Sequence, residues 1–219
     1  MKNAWYQHFF YRKQVLKTTW KLRLFILLVV LAAVVVPHRF WARAIGRSLV
    51  CKEQIAPSDA LLLENFDISY TVFRYAAILQ KEGVASRAFV PTVAGKDPGV
   101  PSAVARQFVE VMAHEAGLRQ FELIPYREKE PISLNTARQI RDHLNKEGIK
   151  SVVVLAPGFR SRRSEMVYEA VLAPEGIRVG CVPILGDDTV GSWTSSWHGI
   201  QNVFEQFLKL QYYRFDVLL

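Results

Sequence analysis

Two stretches of the chain hold residue types suited to gripping or acting on an anion. The first, E-P-I-S-L-N-T-A-R-Q-I-R-D-H-L, runs from Glu130 to Leu144. Ser133 is a good N-cap residue, and Ile140 and Leu144 follow it at helical spacing. Capping needs only Ser133. Asn135 and Thr136 are then left as hydrogen-bonding groups at a helix start, where free N–H groups attract anions. Glu130, three residues before Ser133, is the candidate catalytic acid–base group. The second stretch, A-P-G-F-R-S-R-R-S, covers Ala156–Ser164. An apolar run leads into Pro157-Gly158, and a helix then begins among Arg160, Arg162 and Arg163. Guanidiniums beside a helix start suit phosphate or carboxylate, because their paired N–H donors match two oxygens at once. The plainer alternative is three arginines solvating a helix and pairing with Glu165 and Glu169.

These residues need a frame, and the pattern along the chain predicts one. Strand signals at Asp59–Leu63, Arg87–Val90, Phe121–Ile124, Ser151–Ala156 and Ile177–Ile184 alternate with helix signals near Ser69–Lys81, Ser102–Glu115, Ser133–Lys146, Ser161–Leu172 and Trp197–Tyr213. Short β-branched or leucine runs between helices imply an α/β domain, a Rossmann-like, mostly parallel sheet with helices on both faces. In such a sheet ligands bind beyond the carboxyl ends of the strands. That rule nominates Glu64-Asn65, Pro91-Thr92, Glu130–Thr136, Pro157–Arg163 and Gly186–Trp193. Asn65 joins Ser133, Asn135, Thr136, Arg160 and Arg163 as a ligand-binding candidate. Trp193, Trp197 and His198 either roof such a cleft or pack the last helix.

Several chemistries lack their signatures. The chain has no G-x-x-x-x-G-K-[ST] loop, no G-x-G-x-x-G after the first strand, no G-x-S-x-G elbow and no H-E-x-x-H. The histidines (His8, His38, His114, His143, His198) are scattered without ligand spacing, so no metal site is expected.

The net charge of +8 suggests nucleic acid until it is located. Residues 1–52 hold ten Lys or Arg and no acid, so the rest of the chain carries 18 basic against 20 acidic residues, a net of −2. The folded part is near neutral, and no nucleic-acid partner is expected. Within the basic segment, Leu24–Val36 is an unbroken apolar run flanked by Trp20 and Trp41. Those tryptophans would stand about 31 Å apart on one helix, the spacing of two interfacial anchors. The reading is a basic, aromatic tail over residues 1–19, a single transmembrane anchor at Trp20–Trp41, a linker at 42–57 and the α/β domain at 58–219. A cleaved signal peptide and a buried or interfacial helix are the rivals. Six Lys or Arg precede the apolar run and four follow it, which keeps the N-terminus in the cytoplasm and puts the domain outside. Cys181 reads as a buried free thiol and Cys51 as a linker residue, with a disulfide between them as the alternative in an exported domain.

The spacing E-x-x-S-x-N-T at Glu130, Ser133, Asn135 and Thr136 resembles the signature of the YdcF-like domain family (ElyC/SanA-type bacterial envelope proteins). Arg163 matches the family's arginine in the next conserved segment, and Arg160 stands where a histidine is usual. A-P-E-G-I-R-V-G-C-V-P and the helix with Glu205, Lys209 and Tyr212 extend the similarity over residues 58–213. The chain departs from the family at Glu64-Asn65-Phe66, Pro91-Thr92 and Ser102-Ala103, where glycine-rich or Ser-Glu turns are usual. It resembles a divergent member.

The resemblance implies a Rossmann-like domain tied to bacterial peptidoglycan, lipid-carrier or exported-polysaccharide biogenesis; with the anchor and charge bias read above, the expected place is the bacterial inner membrane, single-pass, with the main domain periplasmic. It leaves the ligand open among a nucleotide, S-adenosylmethionine and a polyprenyl-phosphate-type headgroup. The expected function is an envelope factor whose cleft binds a phosphorylated or anionic ligand. The alternative is a non-catalytic scaffold that contacts envelope or polysaccharide-synthesis proteins. A transferase or hydrolase using Glu130 and Glu64 ranks third.

Overall fold

The computed structural model describes residues 19–64, 69–97, 99–186 and 189–217, the Val34 side chain apart. The chain divides into two compact units, Met1–Trp41 and Ala42–Leu219.

In the first unit, α1 spans Trp20–Val35, and the Thr19 hydroxyl accepts the Leu22 N–H at its start. Its large apolar side chains are exposed, among them Phe25, Leu27, Val29 and Leu31. Sixteen residues make a helix about 24 Å long, short of the roughly 30 Å of a bilayer core. The expected single span Trp20–Trp41 is therefore corrected. The helix breaks at Val36-Pro37, and α2 (His38–Ser48) begins beyond it. Proline has no N–H for the i−4 carbonyl and its ring crowds the preceding turn. Among the described residues no single helix is long and apolar enough to cross a membrane, whereas Trp20–Ala33 and His38–Ser48 meet that test together as a bent pair.

The second unit is α/β. Its parallel strands are β1 (Ala60–Leu63), β2 (Arg87–Val93), β3 (Phe121–Tyr126), β4 (Ser151–Pro157) and β5 (Arg178–Ile184), in the order β3-β2-β1-β4-β5. The Rossmann-like parallel sheet expected from the sequence is observed. Continuous apolar runs make β1 and β4 strands because both sheet faces are covered and every position but the terminal Pro157 is buried. Alternation then sorts the side chains. Ala60, Leu62, Val152 and Val154 pack with α5 (Ile132–Lys146) and α6 (Ser161–Leu172). Leu61, Leu63, Val153 and Leu155 pack on the other face with α3 (Tyr70–Lys81) and α4 (Ala103–Ala116). The last helix, α7 (Trp197–Tyr212), contributes Val203 and Leu210 to a smaller cluster with Ala42, Leu49, Phe159 and Trp193.

Helix ends follow local chemistry. Ser102 caps α4 by accepting the Ala105 N–H, and Gly117 ends that helix in the left-handed region at φ +74°, where a Cβ would be strained. Ser133, expected as the cap of α5, lies inside it instead. The flanking residue is Pro131, and Ser133 occupies the first turn. Pro131 already supplies the extended backbone that opens the helix, which releases the Ser133 side chain for tertiary contacts.

Residues 42–57 are not a free linker. Ala42–Ser48 continue α2, Leu49 is fully buried and Cys51 is bonded to Cys181, in place of the free thiol expected there. Backbone hydrogen bonds tie the segment down: Arg162 N–H to the Leu49 carbonyl, and Gln54 N–H to the Cys181 carbonyl. Gly180 permits this approach, since a Cβ there would stand 2.8 Å from the Gln54 carbonyl oxygen. In sequence the segment reads as a linker between the apolar run and the first strand. The burial of Leu49 and the pairing of an otherwise open edge strand decide against it.

Asp59 joins the starts of β1 and β4. Its carboxylate accepts N–H groups from Lys150 (2.8 Å) and Ser151 (2.9 Å), while its own N–H donates to Ser151. The Lys150 N–H above all holds this carboxyl below its ordinary value. A lowered folded-state pKa contributes stability above the ordinary carboxylate range, and that contribution fades as pH falls through the folded value. Asp59→Asn is expected to cost about 1 kcal/mol at neutral pH, discounted for solvent exposure. Thermal melts should show the gap from the native chain closing as pH falls below the ordinary carboxylate range. Reducing Cys51–Cys181, which closes a 130-residue separation, should lower stability by roughly 2–5 kcal/mol, read as a drop in denaturation midpoint with a thiol reductant.

Candidate functional site

The strand order reverses direction between β1 and β4, and the crevice outside their carboxyl ends is where an open α/β sheet holds ligands. Glu64 follows β1 directly. Its N–H donates to the Leu155 carbonyl, which continues the β1–β4 pairing by one residue and carries the carboxylate into the interior, 2 % exposed. The Ser164 hydroxyl donates to that carboxylate at 2.6 Å. Beyond β4 the chain makes a short 3-10 turn, Gly158–Arg160, and enters α6, where the Ser161 hydroxyl donates to the Gly158 carbonyl and accepts the Cys51 N–H. This tight entry puts Arg163 and Ser164 on the first turn of α6, facing the crevice.

Arg163 is the centre of the arrangement. It is 7 % exposed. One terminal nitrogen donates to the Ser133 hydroxyl at 3.0 Å and the other to the Gln206 side-chain carbonyl at 3.1 Å. Its guanidinium carbon lies 5.4 Å from the centre of the Tyr213 ring, and the Tyr213 hydroxyl accepts the Ser133 N–H at 3.1 Å. Both hydrogen-bond partners are neutral, and Nε–H is buried without a partner. Burial lowers the Arg163 pKa, against the pull of the nearby Glu64 charge. An arginine remains charged under that shift. The fold thus holds a guanidinium whose direct contacts carry no compensating negative charge.

The surrounding cleft measures about 490 Å³. Pro91 and Thr92 of β2, Tyr126 of β3, Ser133 of α5, Arg160 and Arg163 after β4, and Lys209, Tyr212 and Tyr213 of the C-terminal segment line it. Desolvation, then the Glu128 charge, push the Tyr126 hydroxyl up to about 12, so it stays protonated at neutral pH. The Thr92 hydroxyl, on the cleft wall, is buried with no hydrogen-bond partner. Behind the wall, burial raises the Tyr168 hydroxyl well above its ordinary value, and that hydroxyl is likewise without a partner. Arg160, Arg163, Ser133, Thr92 and Tyr126 bring donors to one part of the cleft, Glu128 and Glu130 put two carboxylates on its lining, and Lys209 is paired to Glu205. The arginine side of the cleft has the donors that could hold an oxyanion.

Of the residues nominated from sequence, Pro91, Thr92, Glu130, Ser133, Arg160 and Arg163 line this cleft together. Asn135 turns the other way and ties down the approach to α5, donating to the carbonyls of Lys129 and Glu130. Thr136 is fully buried in α5, its hydroxyl without a partner, and is not among the lining residues. Glu130 accepts the Ile132 N–H at the start of α5. Asn65 lies outside the described residues. Trp193 packs into the α7 cluster and donates to the Ala42 carbonyl, while Trp197 is exposed, so neither roofs the cleft. Arg162 pairs with Glu165, as the plainer reading of the arginines expected for one of the three.

Sequence reasoning missed Tyr126, Gln206 and Tyr213. Tyr126 and Thr92 had a usable signal, since each ends or follows a strand on the ligand side of the sheet. Gln206 had none, because a glutamine in an amphipathic helix looks like any surface residue. Elsewhere, Glu122, His143 and Glu147 bring ligand atoms within 4.8 Å of one another, but Arg87 already bridges both carboxylates at 3.2 and 2.8 Å.

A buried cation with neutral partners costs desolvation energy that an apolar side chain of similar size does not. Arg163→Met is therefore expected to keep the chain folded within about 1 kcal/mol of native stability, measured by chemical denaturation. A loss of about 3 kcal/mol or more would make Arg163 a structural residue. Comparison with family models, with curated proteins and with solved structures finds no match for this chain.

Proposed function

We propose that this protein is a membrane-tethered factor of the bacterial cell envelope, a divergent YdcF-like protein whose cleft binds a phosphorylated ligand. One observation carries the reading: Arg163 is buried at the wall of the cleft, held in place by Ser133, Gln206 and Tyr213 and left without an acidic hydrogen-bond partner. Evolved sites keep such a charge where a ligand supplies the missing oxygens. In this reading Arg163 and Arg160 clamp the anion, Ser133 and Thr92 hydrogen-bond it, and Tyr126 donates from the sheet. Asn135 positions the Glu130 loop, with no contact to the ligand.

The compartment is argued from two features. The Cys51–Cys181 bond suits an oxidising space such as the periplasm. The apolar Leu24–Val36 run, with more basic residues before it than after, suits an anchor whose N-terminus is cytoplasmic. A phosphate on a lipid headgroup would meet a tethered cleft at the bilayer surface, which favours polyprenyl phosphates over free nucleotides. The conjunction of Glu130 with a cleft of donors does not by itself assign bond breaking, so the function proposed is binding.

The test is thermal stability of the full chain in detergent with nucleotides, S-adenosylmethionine, sugar nucleotides, and short polyprenyl phosphate and diphosphate. A ligand at a hundredfold excess over its Kd stabilises by about 2.7 kcal/mol. The expected result is a shift with a polyprenyl phosphate that Arg163→Met abolishes. No shift with any compound overturns the reading.

A further inference from the structure

α7 has two unlike faces. Gly199, Val203, Gln206 and Leu210 are buried against the domain. On the outer face Trp197, Ile200, Phe204, Phe207 and Leu208 follow one another at i, i+3, i+7, i+10 and i+11, and they are 73, 38, 63, 36 and 52 % exposed. That spacing puts all five on one stripe of the helix. Single exposed apolar residues are ordinary, but a contiguous stripe of large ones marks a contact surface.

The stripe continues onto α2. Ile45, 39 % exposed, joins Trp193, Ile200, Val203, Phe204 and Phe207 around a hollow of about 280 Å³ lined almost wholly by carbon. Arg43 and Arg47 of the same helix are exposed, about 160° around the helix from Ile45, and the chain has no acidic residue before Glu53. A stripe of large rings and branched chains is what the headgroup–acyl boundary accepts, and a basic segment without acids adds attraction toward anionic lipid.

Chain length supplies a further constraint. Ile45 is only nine positions along the chain from Val36, the end of the apolar run. Even fully extended those positions span at most roughly 30 Å. If the run is in the bilayer, this face cannot leave its neighbourhood, and its local concentration at the surface is high.

We infer that the α7–α2 face lies on the membrane, with Trp197, Ile200, Phe204 and Phe207 immersed in the interface of anionic phospholipid. The flank of α7 next to this stripe contributes Lys209 and Tyr212 to the cleft, so docking this face holds the cleft's C-terminal wall at headgroup level. The inference rests on the apolar run being membrane-embedded and is independent of what the cleft binds.

The experiment uses the full chain reconstituted in vesicles of phosphatidylcholine and phosphatidylglycerol at three to one. Its cysteines are both in the disulfide, so an introduced cysteine takes a nitroxide label alone. Labels go at Phe204→Cys, at Ile200→Cys as a second position should the first not fold, at Val29→Cys in α1 and at exposed Glu110→Cys in α4. Relative accessibility to oxygen and to a water-soluble nickel chelate reads depth. The expected result is a label on α7 about 5–10 Å below the headgroups, with residue 110 in water. A label at 204 or 200 as aqueous as that at 110, with residue 29 immersed, overturns the docking face and leaves the anchor standing. Aqueous labels at both 29 and 204 overturn anchor and face together. Strong spin–spin broadening at 204 would assign the face to a second copy of the chain and overturn the lipid assignment.

Discussion

The pairing of β1 with β4 is the constraint on which the rest depends. These are the strands with every side chain buried or nearly so, and they lie in register from Ala60↔Val152 to Leu63↔Leu155. Because β2 and β3 follow on one side and β5 on the other, the crossing helices diverge and a crevice opens at the carboxyl ends. The register puts Glu64 one step past the last pair, where it must find a partner in the interior, and Ser164 of α6 is that partner. A one-residue slip would exchange Leu61 and Leu63 for Ala60 and Leu62 on each face. It would also carry Glu64 out of reach of Ser164.

Around that crevice the molecule places polar groups that do not satisfy one another. Thr92 and Tyr168 keep hydroxyls without partners, and Arg163 keeps Nε–H. Buried groups of this kind are costly, and folded proteins seldom hold several near one place without a function. Thr136, inside α5, likewise keeps an unpartnered hydroxyl, whereas polar groups at the far end of the sheet are paired. Asp59 satisfies two N–H groups at the opposite end of the sheet, Arg87 neutralises Glu122 and Glu147, and the segment from Leu49 to Gln54 closes against β5. The contrast between the two ends of the sheet is what directs attention to the cleft.

α7 links the cleft to the outer surface. Gln206 holds Arg163, Lys209 and Tyr212 face the cleft, and the aromatic stripe looks away from the core. A rigid helix with one face in the site and another exposed couples the two places sterically: moving it shifts Gln206 and so the guanidinium. The disulfide has a comparable role on the other side of α6. Cys51 N–H donates to Ser161, and Cys181 is bonded to Cys51, so the turn that orients Arg163 is fastened to β5.

The sequence by itself determined the fold class, the alternation and nearly all element boundaries, because each rests on local signals. Apolar runs of four to seven residues, glycines after helices and caps such as Ser102 act over a few neighbours. It also marked Ser133, Arg160 and Arg163, since residues after parallel strands gather at one end of the sheet whatever the details. Tertiary structure decided the rest. Whether Ser133 caps a helix or accepts from Arg163 depends on where α6 lies thirty residues away. Whether Cys51 is free or bonded depends on an edge strand 130 residues along the chain. Thr136 and Asn135 are adjacent in sequence, yet a helix turns successive side chains by about 100°. One was sent into the core and the other toward the loop before it, and no local pattern says which face a packed neighbour will cover.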